Sequence, residues 1–121
     1  MSQFFGTNPV LSVPDVRAAV AYYCDRLGFT LDALTDDNPP THGSVTRDRV
    51  GIQFTQVADR TPLVAGWTYI FVTDVDRLVD EYRDKGVMIT IPPASHAYGM
   101  REFEVADLHG HRLRFGQYLA E

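Results

Sequence analysis

The chain has 121 residues, 45% of them hydrophobic and 22% charged, which is the length and composition of one globular domain. Sixteen acids against eleven bases leave a net charge of −5 with no basic cluster, which excludes the electrostatic footprint of a nucleic-acid binder and favours a cationic ligand. No apolar run is long enough to span a bilayer, no basic residue precedes Arg17 as a secretory leader requires, and a lone cysteine, Cys24, excludes an intrachain disulfide or a cysteine zinc site. A cytoplasmic location is therefore the default expectation.

Pro9 to Val13 reads as a short strand, followed by Asp15 as an N-cap and a helix whose Val16, Ala19, Val20, Tyr23 and Leu27 recur at helical spacing. Gly28 falls where a left-handed C-cap residue belongs. Strands are expected at Phe29 to Leu34, Ser44 to Arg47 and Gly51 to Gln56, with Asn38 to Gly43 as a loop. Arg60 to Gly66 links this half to the next. There Trp67 to Val72 reads as a strand, Asp74 as an N-cap, Val75, Leu78, Val79 and Tyr82 as a helix stripe, and Gly86 as its C-cap. Strands follow at Met88 to Ile91, Met100 to Ala106 and Arg112 to Tyr118, separated by a loop at Pro92 to Ser95 and a turn at Asp107 to His111.

The two halves repeat. Val13-Pro14-Asp15-Val16 superimposes on Val72-Thr73-Asp74-Val75 at an offset of 59, which also places Tyr23 on Tyr82. Farther along, Ile52-Gln53-Phe54 matches Leu113-Arg114-Phe115. The expected fold is α+β: one domain over residues 1–121, built from βαβββ modules at 1–60 and 66–121, with helices on one face of mixed sheets. Neither module is long enough to close a good core alone.

Trp67, Tyr69 and Phe71 alternate along a strand and share one sheet face. That face is either an aromatic wall for a planar ligand or core packing; the choice is open for Trp67 and Tyr69, and Phe71 is assigned to the core. His109 and His111 have metal-like spacing but sit in a glycine-containing turn, so they are taken as solvated turn residues. Cys24, beside the buried stripe, is taken as a small buried hydrophobe. Ser12 and Ser95 have no histidine partner, so a nucleophile triad has no support.

Several runs in this order carry a resemblance: Val10-Leu11-Ser12-Val13-Pro14-Asp15-Val16, Asp25-Arg26-Leu27-Gly28-Phe29, Tyr98-Gly99-Met100-Arg101-Glu102-Phe103 and Asp107-Leu108-His109-Gly110-His111. Together with the repeat, they resemble the vicinal oxygen chelate superfamily, which includes glyoxalase I, extradiol dioxygenases and bleomycin resistance proteins. The Asp-Arg-Leu-Gly-Phe and Tyr-Gly-x-Arg-Glu-Phe runs look most like the bleomycin resistance branch. The resemblance implies paired modules forming cup-shaped incomplete barrels, a homodimer, and ligand pockets at or near the dimer interface.

Enzymes of that superfamily hold a divalent metal with His, Glu or Gln from four inward strand positions. The matching residues here are Asn8, Gln53, Trp67 and Arg114. Indole N–H and guanidinium groups do not ligate metals, and Asn is a weak ligand, so one neutral amide remains. Arg114 is left with three readings: meeting an anionic ligand group, pairing with an internal acid such as Glu104, or pointing outward. In bleomycin resistance relatives, an aromatic at the position of Tyr98 stacks on the drug, and acids in the stretch of Asp32, Asp36 and Asp37 attract it. The second stacking aromatic of the relatives is absent, with Asn38-Pro39-Pro40 in its place.

The expected function is a metal-free small-molecule binding protein that needs no cofactor and sequesters an organic ligand, a cationic antibiotic for example, without catalysis. The ligand-binding residues are Asn8, Asp32, Gln53, Trp67, Tyr69, Tyr98 and Arg114. The alternative is a metal-dependent lyase or isomerase like glyoxalase I, or an extradiol dioxygenase. Neither nucleic acid nor membrane is expected as a partner.

Overall fold

The computed structural model describes residues 2–3, 5–58 and 65–120. The elements run β1 (Val10–Val13), α1 (Val16–Asp25), β2 (Thr30–Leu34), β3 (His42–Arg47), β4 (Val50–Gln56), β5 (Trp67–Phe71), α2 (Val75–Asp84), β6 (Met88–Ser95), β7 (Met100–Ala106) and β8 (Arg112–Tyr118). Both halves fold to the expected βαβββ pattern. Each makes its own four-stranded mixed sheet, in the orders β1-β4-β3-β2 and β5-β8-β7-β6. The β1–β4 and β5–β8 pairs are parallel and the remaining pairs antiparallel. The expected link at Arg60 to Gly66 lies largely outside the described residues.

Local chemistry sets the helix ends as the sequence indicates. The Asp15 carboxylate accepts the Ala18 amide at 3.0 Å and the Asp74 carboxylate accepts the Arg77 amide at 3.1 Å. Gly28 and Gly86 take positive φ values of 79° and 72° just past each helix, a conformation that costs other residues more.

Several boundaries differ from the sequence reading, most of them by one residue. Phe29 precedes β2 instead of opening it, and β3 begins at His42, inside the expected loop. The expected loop at Pro92 to Ser95 is instead the end of β6. That strand lies at the sheet edge, where proline's missing N–H costs little, and its pairing register jumps between Ile91 and Ala94 to pass the two prolines.

A single buried cluster joins both modules, with Leu11, Tyr23 and Phe54 from the first and Ile70, Tyr82 and Phe115 from the second. Polar bridges reinforce it. The Tyr23 hydroxyl donates to Asp107 at 2.7 Å, and the Tyr82 hydroxyl to the Leu27 carbonyl at 3.0 Å. Arg47 forks onto both Glu81 oxygens at 2.7 and 3.0 Å. His111 corrects the expectation of a solvated turn, being only 1% exposed. Its Nδ1 accepts the Gly66 amide, so the proton sits on Nε2, which donates to the Ser12 carbonyl at 2.8 Å. Cys24 is half-buried against the core and has no disulfide partner. No helix among the described residues is long and apolar enough to cross a membrane.

Candidate functional site

The helices cover one face of each sheet and leave the other open. In β5 the covered residue is Ile70, 6% exposed, while Trp67, Tyr69 and Phe71 stand on the open face at 68%, 40% and 61%. Phe71 therefore does not belong to the core as expected. Ile70 takes that place in the buried cluster, and Phe71 stacks on Tyr118 with ring centres 5.6 Å apart. Gly116, the pairing partner of Phe71, lets the Tyr69 ring lie against the β8 backbone, because a Cβ there would collide with the phenol.

β7 is a central strand, so both of its edges are paired, with β6 on one side and β8 on the other. Phe103 and Val105 enter the core, and Glu102 and Glu104 project to the open face, where they are nonetheless 6% and 2% exposed. Arg114 lies opposite Glu104 in the β7–β8 register. Of the three readings left open for Arg114, the ion pair is the one formed: Nη2 donates to Glu104 at 3.1 Å. Arg112 and Thr90 donate to the other Glu104 oxygen at 2.9 and 2.8 Å. The Arg114 guanidinium also sits 4.9 Å from the centre of the Trp67 ring, within cation–π range. Burial works against the Glu104 charge, but the Thr90, Arg112 and Arg114 contacts outweigh it and hold the carboxyl below its usual pKa.

Glu102 is held differently. Its two oxygens accept the Tyr69 and Tyr98 hydroxyls, each at 2.5 Å. Here too burial opposes ionisation, and the two phenol bonds prevail to lower the pKa. Tyr69 is raised by burial and by its bond to Glu102, and Tyr98 by that bond foremost. The Tyr98 ring stacks on His96 at 4.9 Å and is 64% exposed.

The residues expected from sequence fall into two groups. Trp67, Tyr69, Tyr98 and Arg114 share the open face of the second sheet. Asp32 and Gln53 lie on the open face of the first, where Asp32 accepts the Ser44 hydroxyl at 2.8 Å and Ser44 pairs with Gln53. Asn8 precedes β1 and lies over Gly51; with Gly51, Trp67, Tyr69 and Phe71 it lines a cleft of about 510 Å³ where the two modules adjoin. Asp37 holds its own loop, accepting the Thr41 hydroxyl at 2.7 Å. A second cleft, of about 490 Å³, separates α2 from the β3–β4 hairpin along the Arg47–Glu81 pair.

A model of the Glyoxalase/Bleomycin resistance protein/Dioxygenase superfamily matches residues 7–115. The chain belongs to this superfamily. The bleomycin-binding protein from bleomycin-producing Streptomyces verticillus, solved with copper(II)-bleomycin, is 29% identical over 100% of both chains, with a TM-score of 0.75. TioX from Micromonospora sp. ML1 is 22% identical, covering 94% of this chain and 100% of its own, with a TM-score of 0.79. A glyoxalase-related enzyme from Clostridium phytofermentans is 18% identical over 98% of each chain, with a TM-score of 0.81, a likeness of fold. No curated protein matches the sequence.

The divalent metal of the superfamily's enzymes does not fit the residues at its positions. Arg114 is a cation already joined to Glu104, Trp67 offers only a ring face, and Asn8 is exposed ahead of its strand. Among the described residues no three His, Cys, Asp or Glu side chains group as a metal site.

Sequence reasoning missed Glu102 as a site residue. The signal was present: acids at 102 and 104 alternate with core residues 103 and 105 along one strand, which sends both carboxylates to a single face.

Proposed function

We propose that the protein binds a small organic ligand on its open sheet faces and acts by sequestration, as a homodimer, with no bond made or broken. The observation that carries this reading is the Trp67–Arg114–Glu104 arrangement. It places an aromatic face and a closed ion pair where a metal enzyme needs open coordination. The bleomycin-binding relative, 29% identical over the whole chain, supports the same class of function.

The exposed ladder of Trp67, Tyr69, Phe71 and Tyr118 suits a flat ligand and a covering second copy. In such a dimer, a second copy would add polar groups such as Gln53 and Asp32 to the aromatic groups of the other sheet. Bleomycin itself would lack one stacking partner, since Asn38-Pro39-Pro40 stands where relatives carry the second aromatic.

Thermal-shift measurements with bleomycin and a panel of planar aromatic compounds test the reading. A true ligand at about 100 times its Kd adds roughly 2.7 kcal/mol to stability, a rise of several degrees in Tm. A stoichiometric divalent ion retained after dialysis, with turnover of a hemithioacetal or catechol substrate, would overturn it in favour of a metal enzyme.

A further inference from the structure

The two buried acids of the open face differ in how their charge is met. Glu104 is matched by Arg112 and Arg114. Glu102 receives only phenol hydroxyls, and among the described residues no lysine or arginine pairs with it. Arg101, its neighbour, turns away to Asp76 and Ser95. Four titratable groups face Glu102: Tyr69, Tyr98, His96, whose Nε2 lies 3.6 Å away, and Arg114, which acts on it only through space.

A buried carboxylate that meets no lysine or arginine, and only an imidazole 3.6 Å away, is expensive, and the phenols offset only part of that cost. Each phenol that donates to a carboxylate becomes more electron-rich at its oxygen and ring, and both rings remain accessible, Tyr98 more than Tyr69. A cation over such rings gains from the ring face and from the carboxylate behind it. The loop acids are weaker anchors. Asp37 is committed to Thr41, Asp32 to Ser44, and exposed charges are screened by salt as Glu102 is not. The same screening applies to Arg49, an exposed cation on the rim of the adjoining cleft.

We propose that Glu102, presented through the Tyr69 and Tyr98 phenols, anchors a planar organic cation, and that this group rather than Asp32, Asp36 or Asp37 selects the ligand's charge. The proposal rests on the ligand-binding reading above and adds the residue that reads the ligand's charge.

Three probes of similar shape test it by titration of the full chain in ¹H–¹⁵N NMR: N-methylquinolinium, neutral quinoline and anionic 2-naphthalenesulfonate. The cation is expected to bind at least about tenfold tighter than quinoline, and to shift the amides around Tyr98 to Glu102 most. Glu102→Gln, checked for folding by circular dichroism, should erase that preference, and Asp37→Asn should leave it intact. Equal binding of cation and quinoline by the wild type overturns the proposal but leaves the aromatic site standing. So does a cation preference that survives in Glu102→Gln or vanishes in Asp37→Asn. Shifts centred away from Tyr98 to Glu102 also overturn it, on the wild-type protein alone. If none of the three probes binds, the ligand-binding reading falls with it.

Discussion

Arg114 holds Trp67 and Glu104 at once, its guanidinium 4.9 Å from the indole centre and its Nη2 3.1 Å from the carboxylate. Arg114→Leu should therefore weaken two contacts together. Glu104, 2% exposed, keeps Arg112 and Thr90, so the loss is that of one charged bond in a partly satisfied group, about 1–3 kcal/mol. Urea unfolding followed by the fluorescence of Trp67, the chain's one tryptophan, reads both effects. A variant as stable as the wild type, with unchanged emission, would mean that the pair does not form in solution.

The fold was legible because the repeat, the N-caps and the C-cap glycines agree at each helix, so local signals and global pattern point the same way. The aromatic face of β5 was legible too, from alternation alone. Alternation does not say which face a helix covers, and that is why Phe71 was misplaced: Ile70, its neighbour, enters the buried cluster instead. Glu102 and His111 were hidden for another reason. Acids and turn histidines ordinarily face solvent, and what buries these two is long-range. The Ser12 carbonyl that His111 meets is 99 residues away, and Tyr69 reaches Glu102 across 33.

His111→Ala should be among the most destabilising single changes. It opens a cavity in a site 1% exposed and strands both the Gly66 amide and the Ser12 carbonyl. Cavity and lost hydrogen bonds together give about 2–4 kcal/mol. Tyr23→Phe is the milder comparison, at about 1 kcal/mol, because Asp107 still accepts the His109 and His111 amides. Hydrogen exchange separates bridge from bulk packing: the Gly66 amide should exchange faster in His111→Ala than in Tyr23→Phe. Equal protection in both would remove His111 as the pin between modules.

The proposed homodimer makes a prediction at the Phe71–Tyr118 stack. Phe71 is 61% and Tyr118 71% exposed in the single chain, an apolar pair that a second copy would cover. Sedimentation velocity should find twice the chain mass for the wild type at micromolar concentration. Phe71→Asp should shift the balance to the single chain and remove the concentration dependence of Tm. A wild type that sediments as a single chain at all concentrations would exclude a dimer-built cup.

Acid should act on stability through Glu102. Burial alone would raise its pKa, but the Tyr69 and Tyr98 bonds carry it below the ordinary value of 4.5. A carboxylate whose folded-state pKa is depressed stabilises the fold above its unfolded pKa, and that contribution disappears as pH falls through the folded value. Glu102→Gln should thus cost about 1–2 kcal/mol near neutral pH, where the charged acceptor is replaced by a neutral amide. Below about pH 4.5 the wild type should lose stability faster than the variant, so that the two Tm curves converge. Thermal melts of both proteins from pH 7 downward decide it. A gap that stays constant with pH would show that folding does not shift the Glu102 pKa, and a wild type that gains on the variant as pH falls would show that the phenol partners hold a neutral acid.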